Sequence, residues 1–136
     1  MLEKVKQWLQ SFPLWEDSLQ IDYLDAAPGN GGLYPRGFQE LSAREDVLGN
    51  RAVRYRCTFL LRRQTARSQD NAQWLMDFQN WVMEQDRLHL APQFGDDPKS
   101  ERIRALEGRL DSHNQTGCAL YTVQLQKEFT RIFRGE

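Results

Sequence analysis

The sequence predicts an α+β fold: a mainly antiparallel sheet carrying a short N-terminal helix and one central amphipathic helix. Three observations carry that reading. Residues 70–87 place apolar side chains at helical spacing. Residues 51–63 and 118–133 instead alternate between apolar and polar. The elements run helix, strand, loop, hairpin, helix, hairpin, so turns rather than helical crossovers join most strands.

Each element has its own grounds. Leu2, Val5, Leu9 and Phe12 form one stripe, predicting a helix over 2–12 that Pro13 closes. Trp8 lies off the centre of that stripe. Over 18–25, Leu19, Ile21 and Tyr23 share a face, as in a half-buried strand. Residues 26–37 hold Pro28, Gly29, Gly31, Gly32, Pro35 and Gly37 and read as a long loop. Phe38 and Leu41 suit a short strand or a turn, and Gly49-Asn50 marks a tight turn. Beyond it, Val53, Tyr55, Cys57, Phe59 and Leu61 face one way, while Arg54, Arg56, Thr58, Leu60 and Arg62 face the other.

Asp70 is the expected N-cap of the 70–87 helix, whose apolar face is Trp74, Leu75, Phe78, Trp81 and Val82. A second loop covers 91–100. Residues 101–111 fit a helix through Ile103, Leu106 and Leu110, or a strand with a bulge at Gly108. Residues 112–117 read as a turn. The last strand sets Tyr121, Val123, Leu125, Phe129 and Phe133 against Thr122, Gln124, Gln126, Glu128 and Thr130.

The 136 residues suit a single domain over 1–136 that buries roughly two-thirds of its unfolded surface. A net charge of -1 argues against a strongly basic nucleic-acid binder. No apolar run is long enough for a membrane span, and Lys4 and Lys6 interrupt any signal-like start. Synthesis in the cytoplasm is expected. Cys57 and Cys118 lack metal spacing and read as reduced core thiols.

Nothing in the sequence carries catalysis. His89 and His113 have no ligand partners at useful spacing, and Asp96-Asp97 is an isolated acidic pair. PGNGG lacks the strand, helix and lysine of a phosphate loop. A Cys57–His89 pair is opposed by the apolar setting of the thiol. No enzymatic activity, cofactor or metal is expected.

Charge patterning says more. Arg51–Arg67 contains six arginines and no acid. These side chains either form a solvated face paired with Glu40, Glu45 or Glu128, or bind a carboxylate- or phosphate-bearing partner. Residues 1–68 carry 10 basic and 8 acidic groups, residues 69–136 carry 8 and 11. Arg54, Arg56 and Arg62 on one surface, facing Asp96, Asp97 and Glu101 on another, would make a self-complementary contact. Trp8 and Trp15 are expected to be partly exposed anchors for a neighbour.

The blocks LEKVKQWLQSFP, IDYLDAAPGNGGLYPRG, REDVLGNRAVRYRCTFLLRR, DNAQWLMDFQNWV and TGCALYTVQLQKEFTR span nearly the whole chain in order. Together they resemble the minor capsid or tail terminator (head–tail joining) proteins of Firmicutes phages and prophages. The resemblance implies a structural subunit that assembles at the head–tail junction, commonly as a hexameric ring contacting tail tube and head connector. It implies residence in the bacterial host cytoplasm during assembly and then in the virion. It also implies that 101–111 is a strand, paired with 118–133. The alternatives are an adaptor that touches nucleic acid through Arg51–Arg67, or a small ligand-binding or enzymatic domain with the aromatic helix lining a pocket. Direct nucleic-acid binding fits the neutral charge poorly.

Overall fold

The computed structural model describes residues 2–15, 18–22, 30–66, 70–113 and 118–135. It is α+β. Helix α1 (Leu2–Gln10) is followed by strands β1 (Ser18–Ile21), β2 (Asn30–Glu45) and β3 (Arg51–Ala66), helix α2 (Asp70–Arg87), a 3₁₀ turn (Pro98–Ser100), and strands β4 (Arg102–His113) and β5 (Cys118–Phe133). The five strands form one sheet in the order β1-β2-β3-β5-β4. Only β1 and β2 run parallel; the other three pairings are antiparallel.

Alternation decides which side of the sheet is inside. Val53, Cys57, Phe59 and Leu61 of β3 lie beside Val123, Leu125 and Phe129 of β5, and all are buried. Both helices pack on this side. Leu75, Phe78 and Val82 of α2 and Val5, Leu9 and Phe12 of the N-terminal segment join the same core. Aromatic rings fill the space between the helices: Phe12 meets Phe78 edge-on at 5.5 Å, and Trp74 stacks on Phe78 at 5.4 Å. Rings of this size dominate core burial, which is why α2 anchors the sheet. A second aromatic group, Phe38, Tyr55, Phe94 and Phe129, covers the same side beyond the helices.

Several expectations are corrected. The 26–37 loop is a strand from Asn30 onward, and the strand runs through Glu45 rather than ending as a short element. Gly31 is there for close approach: a Cβ would lie 3.2 Å from Leu19 and 3.3 Å from Trp15. Gly37, at φ +84°, sits in the register shift between Pro35 and Phe38. Pro35 lies past the end of β1, where no described strand pairs with that side of β2 and a sheet tolerates proline.

The tight turn is a three-residue hairpin loop. Asp46 N–H donates to the Asn50 carbonyl at 2.9 Å, Gly49 N–H donates to the Asp46 carbonyl at 3.1 Å, and Gly49 has φ +83°. That is the type I turn with a left-handed bulge residue that suits such loops. The Asp46 carboxylate accepts the Leu48 and Asn50 amides, each at 2.9 Å.

The 101–111 ambiguity resolves to a strand, β4, with the register shift at Glu107-Gly108 between Leu106 and Arg109. Glu107 takes φ +55° there, and a Cβ on Gly108 would touch Leu75 at 3.4 Å. β4 continues to His113, so only 114–117 of the expected turn remains, outside the described residues. Tyr23 and the Asp70 side chain also lie outside them.

Candidate functional site

The face of the sheet turned away from the helices carries the arginines. Register places Arg44, Arg54, Arg56, Arg62, Arg102 and Arg104 there. Glu128 is the single carboxylate among the described paired positions of that face. Between them stand neutral side chains, among them Tyr34, Leu60, Thr58, Gln124 and Gln126. No described helix packs on this side. The sequence therefore places Arg54, Arg56 and Arg62 together correctly.

The local geometry centres on Glu128. Its Oε1 lies 3.5 Å from Arg56 Nη2 and 3.9 Å from Arg54 Nε. Arg102 stands opposite Glu128 in the β4–β5 register and donates to the Lys99 and Glu101 carbonyls. Arg104 donates to Gln126 Oε1 at 3.3 Å. The Arg62 guanidinium lies 5.9 Å from the centre of the Tyr34 ring. Arg56 Nε is buried without a hydrogen-bond partner. The expected pairing with Glu128 is thus present, but that carboxylate serves two guanidiniums, and among the described residues the paired positions of this face hold more arginines than carboxylates.

The remaining arginines of the stretch divide. Arg51 pairs with Glu40 at 3.3 Å, and Arg63 lies over the Trp74 ring at 4.0 Å, both on the helix side. Arg67 is outside the described residues.

Trp8 and Trp15 do not join the arginines. Trp8 is 8% exposed, stacks on Trp81 at 4.8 Å and donates its indole N–H to Gln85 Oε1 at 2.9 Å. The expectation of a partly exposed anchor is corrected for Trp8: α2 supplies the neighbour it needs. Trp15 is partly buried, 5.8 Å from Trp74.

The acidic half of the expected contact also changes. Asp96 works within the chain: its amide donates to the Thr130 carbonyl at 2.8 Å, and its Oδ2 accepts the Ile132 amide at 2.8 Å. It stands in for a strand beside β5 beyond the start of β4. Gly95 permits this, since a Cβ there would lie 2.2 Å from the Thr130 oxygen. Glu101 is buried, accepts the Phe94 and Gly95 amides, and pairs with Lys127. Asp97 stays exposed at the start of the 3₁₀ turn. The 91–100 loop is thereby pinned to β5 at Asp96.

The Lys127–Glu101 pair escaped the sequence reading. Its signal was present: Lys127 occupies an inward position in the β5 alternation, between Leu125 and Phe129, and a lysine there demands a buried counter-charge. Beside the pair is a polar cavity of about 80 Å³ lined in part by Asp86, His89 and Gln93. Cys57 lies at an apolar groove of about 630 Å³ with Leu2, Ile21, Pro35, Phe38 and Phe59. Burial pushes its thiol up to about 11. The aromatic face of α2 is covered by Trp8 of α1 and by Phe12 after it and does not line this groove. Among the described residues no three His, Cys, Asp or Glu side chains converge on a cation position, and no helix is long and apolar enough to cross a membrane.

No protein-family model matches the chain, and none of the curated proteins matches it.

Proposed function

We propose that the chain is a structural assembly subunit of a phage or prophage particle, a minor capsid or tail terminator protein at the head–tail junction. The observation that carries the reading is the one-sided sheet. Helices cover one face, while the other presents ordered arginines to the surroundings. A surface of this kind binds rather than reacts. The resemblance in sequence blocks points the same way. The β2–β3 hairpin adds support, since its tip exposes Val47 (102%) and Leu48 (75%). Adjacent apolar side chains on a projecting turn suit a contact with another subunit.

Native mass by light scattering tests it: a closed ring of about six copies is the expected species. Val47→Ser with Leu48→Ser should keep the circular dichroism of the parent and shift the mass toward the monomer. A wild-type chain that stays monomeric, alone and in the presence of purified tail tubes, would refute the ring. The arginine density favours one second reading, an adaptor on nucleic acid, and salt-sensitive binding to duplex DNA would establish that instead.

A further inference from the structure

We infer that the open sheet face receives an acidic protein surface belonging to a different molecule, rather than a second copy of this chain. The inference rests on the proposed function only in taking this face to be an interface.

Charge complementarity carries the argument. Arg54 and Arg56 flank Glu128, the one carboxylate among the described paired positions of this face, and Arg102 stands opposite it in register. Arginine forks recognise carboxylates in pairs, and here their capacity exceeds the supply among the described residues of the face. Glu128 is itself an example of the occupant chemistry: a carboxylate held between neighbouring strands.

A second copy has nothing comparable to offer among the described residues. Asp96 is bonded to the β5 backbone, and Glu101 is buried against Lys127. Asp46 is tied into its own turn, and Glu40 and Glu84 face Arg51 and Arg87. The exposed carboxylates that remain, Glu3, Asp22, Glu45, Asp97 and Glu107, stand on different elements, so among the described residues no acidic patch matches the arginine face in density. Nucleic acid fits less well. Tyr34 is the sole described aromatic between the arginines, so a single strand finds no row of rings on which bases could stack, and the net charge of -1 does not favour a duplex.

The test uses the full chain with two fluorescein-labelled probes, an alternating Glu-Thr peptide and a short random-sequence DNA duplex. Anisotropy and native mass are read on the same samples. The peptide should bind, and Arg54→Gln with Arg56→Gln should weaken it about tenfold. Arg104→Gln, at the exposed margin, should weaken it about threefold, and Lys4→Gln on α1 should leave it unchanged. Circular dichroism confirms that each variant is folded. Failure of the peptide to bind, or binding indifferent to all three arginines, overturns the inference. So does arginine-dependent binding of the duplex in preference to the peptide. A ring that falls to monomers in the arginine variants also overturns it, by making the second copy the occupant, while the assembly reading survives. A monomer that binds the peptide through these arginines upholds the inference and removes the ring.

Discussion

Lys127 Nζ sits 3.2 Å from Glu101 Oε1, and both side chains are almost wholly inside the protein. Glu101 also takes two amides from the 94–95 backbone, so the pair ties β5, the segment before β4 and the preceding loop together. Removing the lysine alone strands a carboxylate in the core. Lys127→Met is therefore expected to cost about 3–5 kcal/mol, read as a lower urea midpoint at unchanged slope.

The same lysine sets a pH response. Burial holds its pKa below the usual lysine range, while Glu101 and then Asp86 pull the other way, and His89 lines the adjoining cavity. A lysine depressed in the folded state binds fewer protons than in the unfolded chain. Stability from this group then rises with pH between the folded and unfolded pKa values. Relative to Lys127→Met, the wild type should gain stability as pH is raised through the alkaline range toward the ordinary lysine pKa. A constant difference across that window contradicts the expectation.

Cys57 should resist thiol reagents. With its pKa raised to about 11 by burial, little thiolate exists near neutrality. In a Cys118→Ser background, reaction with a disulfide reagent at about pH 8 should be at least about a hundredfold slower than in urea. Equal rates would place the thiol at the surface.

Gly95→Ala should destabilise the chain by about 2–4 kcal/mol, because the new Cβ meets the Thr130 carbonyl. Asp96→Ala should cost about 1–3 kcal/mol and speed hydrogen exchange at the Ile132 amide, whose acceptor it removes. Unchanged exchange at Ile132 would detach Asp96 from this role.

Glu128→Gln separates stability from binding. The carboxylate is partly exposed and its ion pairs are long, so the fold should lose no more than about 1 kcal/mol by thermal unfolding. The face gains net positive charge, so the Glu-Thr peptide should bind the variant more tightly in anisotropy titrations than the parent.

Much of this was legible in the residues. The helix at Asp70–Arg87 follows from the helical spacing of its apolar residues and the expected N-cap residue Asp70, and the strand at Cys118–Phe133 from an alternation whose apolar side only Lys127 and Arg131 interrupt. The arginine face follows from the alternation of β3. Glycine and proline misled the reading of 26–37. Gly31 serves side-chain packing and Pro35 sits past the end of β1, and neither breaks the strand. Local pattern is also silent on long-range partners. Trp8 reads as peripheral on its own helix until Trp81, far along the chain, covers it. Asp96 and Glu101 read as surface acids because the amides that engage them, at Ile132 and at Phe94 and Gly95, belong to no sequence motif.

Asp96 has a consequence for how this molecule can grow. By occupying the carbonyl of Thr130 and the amide of Ile132, it seals the margin of β5 where β4 has not yet begun. Asp86 does likewise for the Ile103 amide, and the Glu107-Gly108 bulge breaks the line of β4 further along. Lateral extension of the sheet by an added strand is obstructed along this flank. An incoming strand on this side meets these interruptions in the backbone line, whereas no described helix covers the arginine face of the sheet.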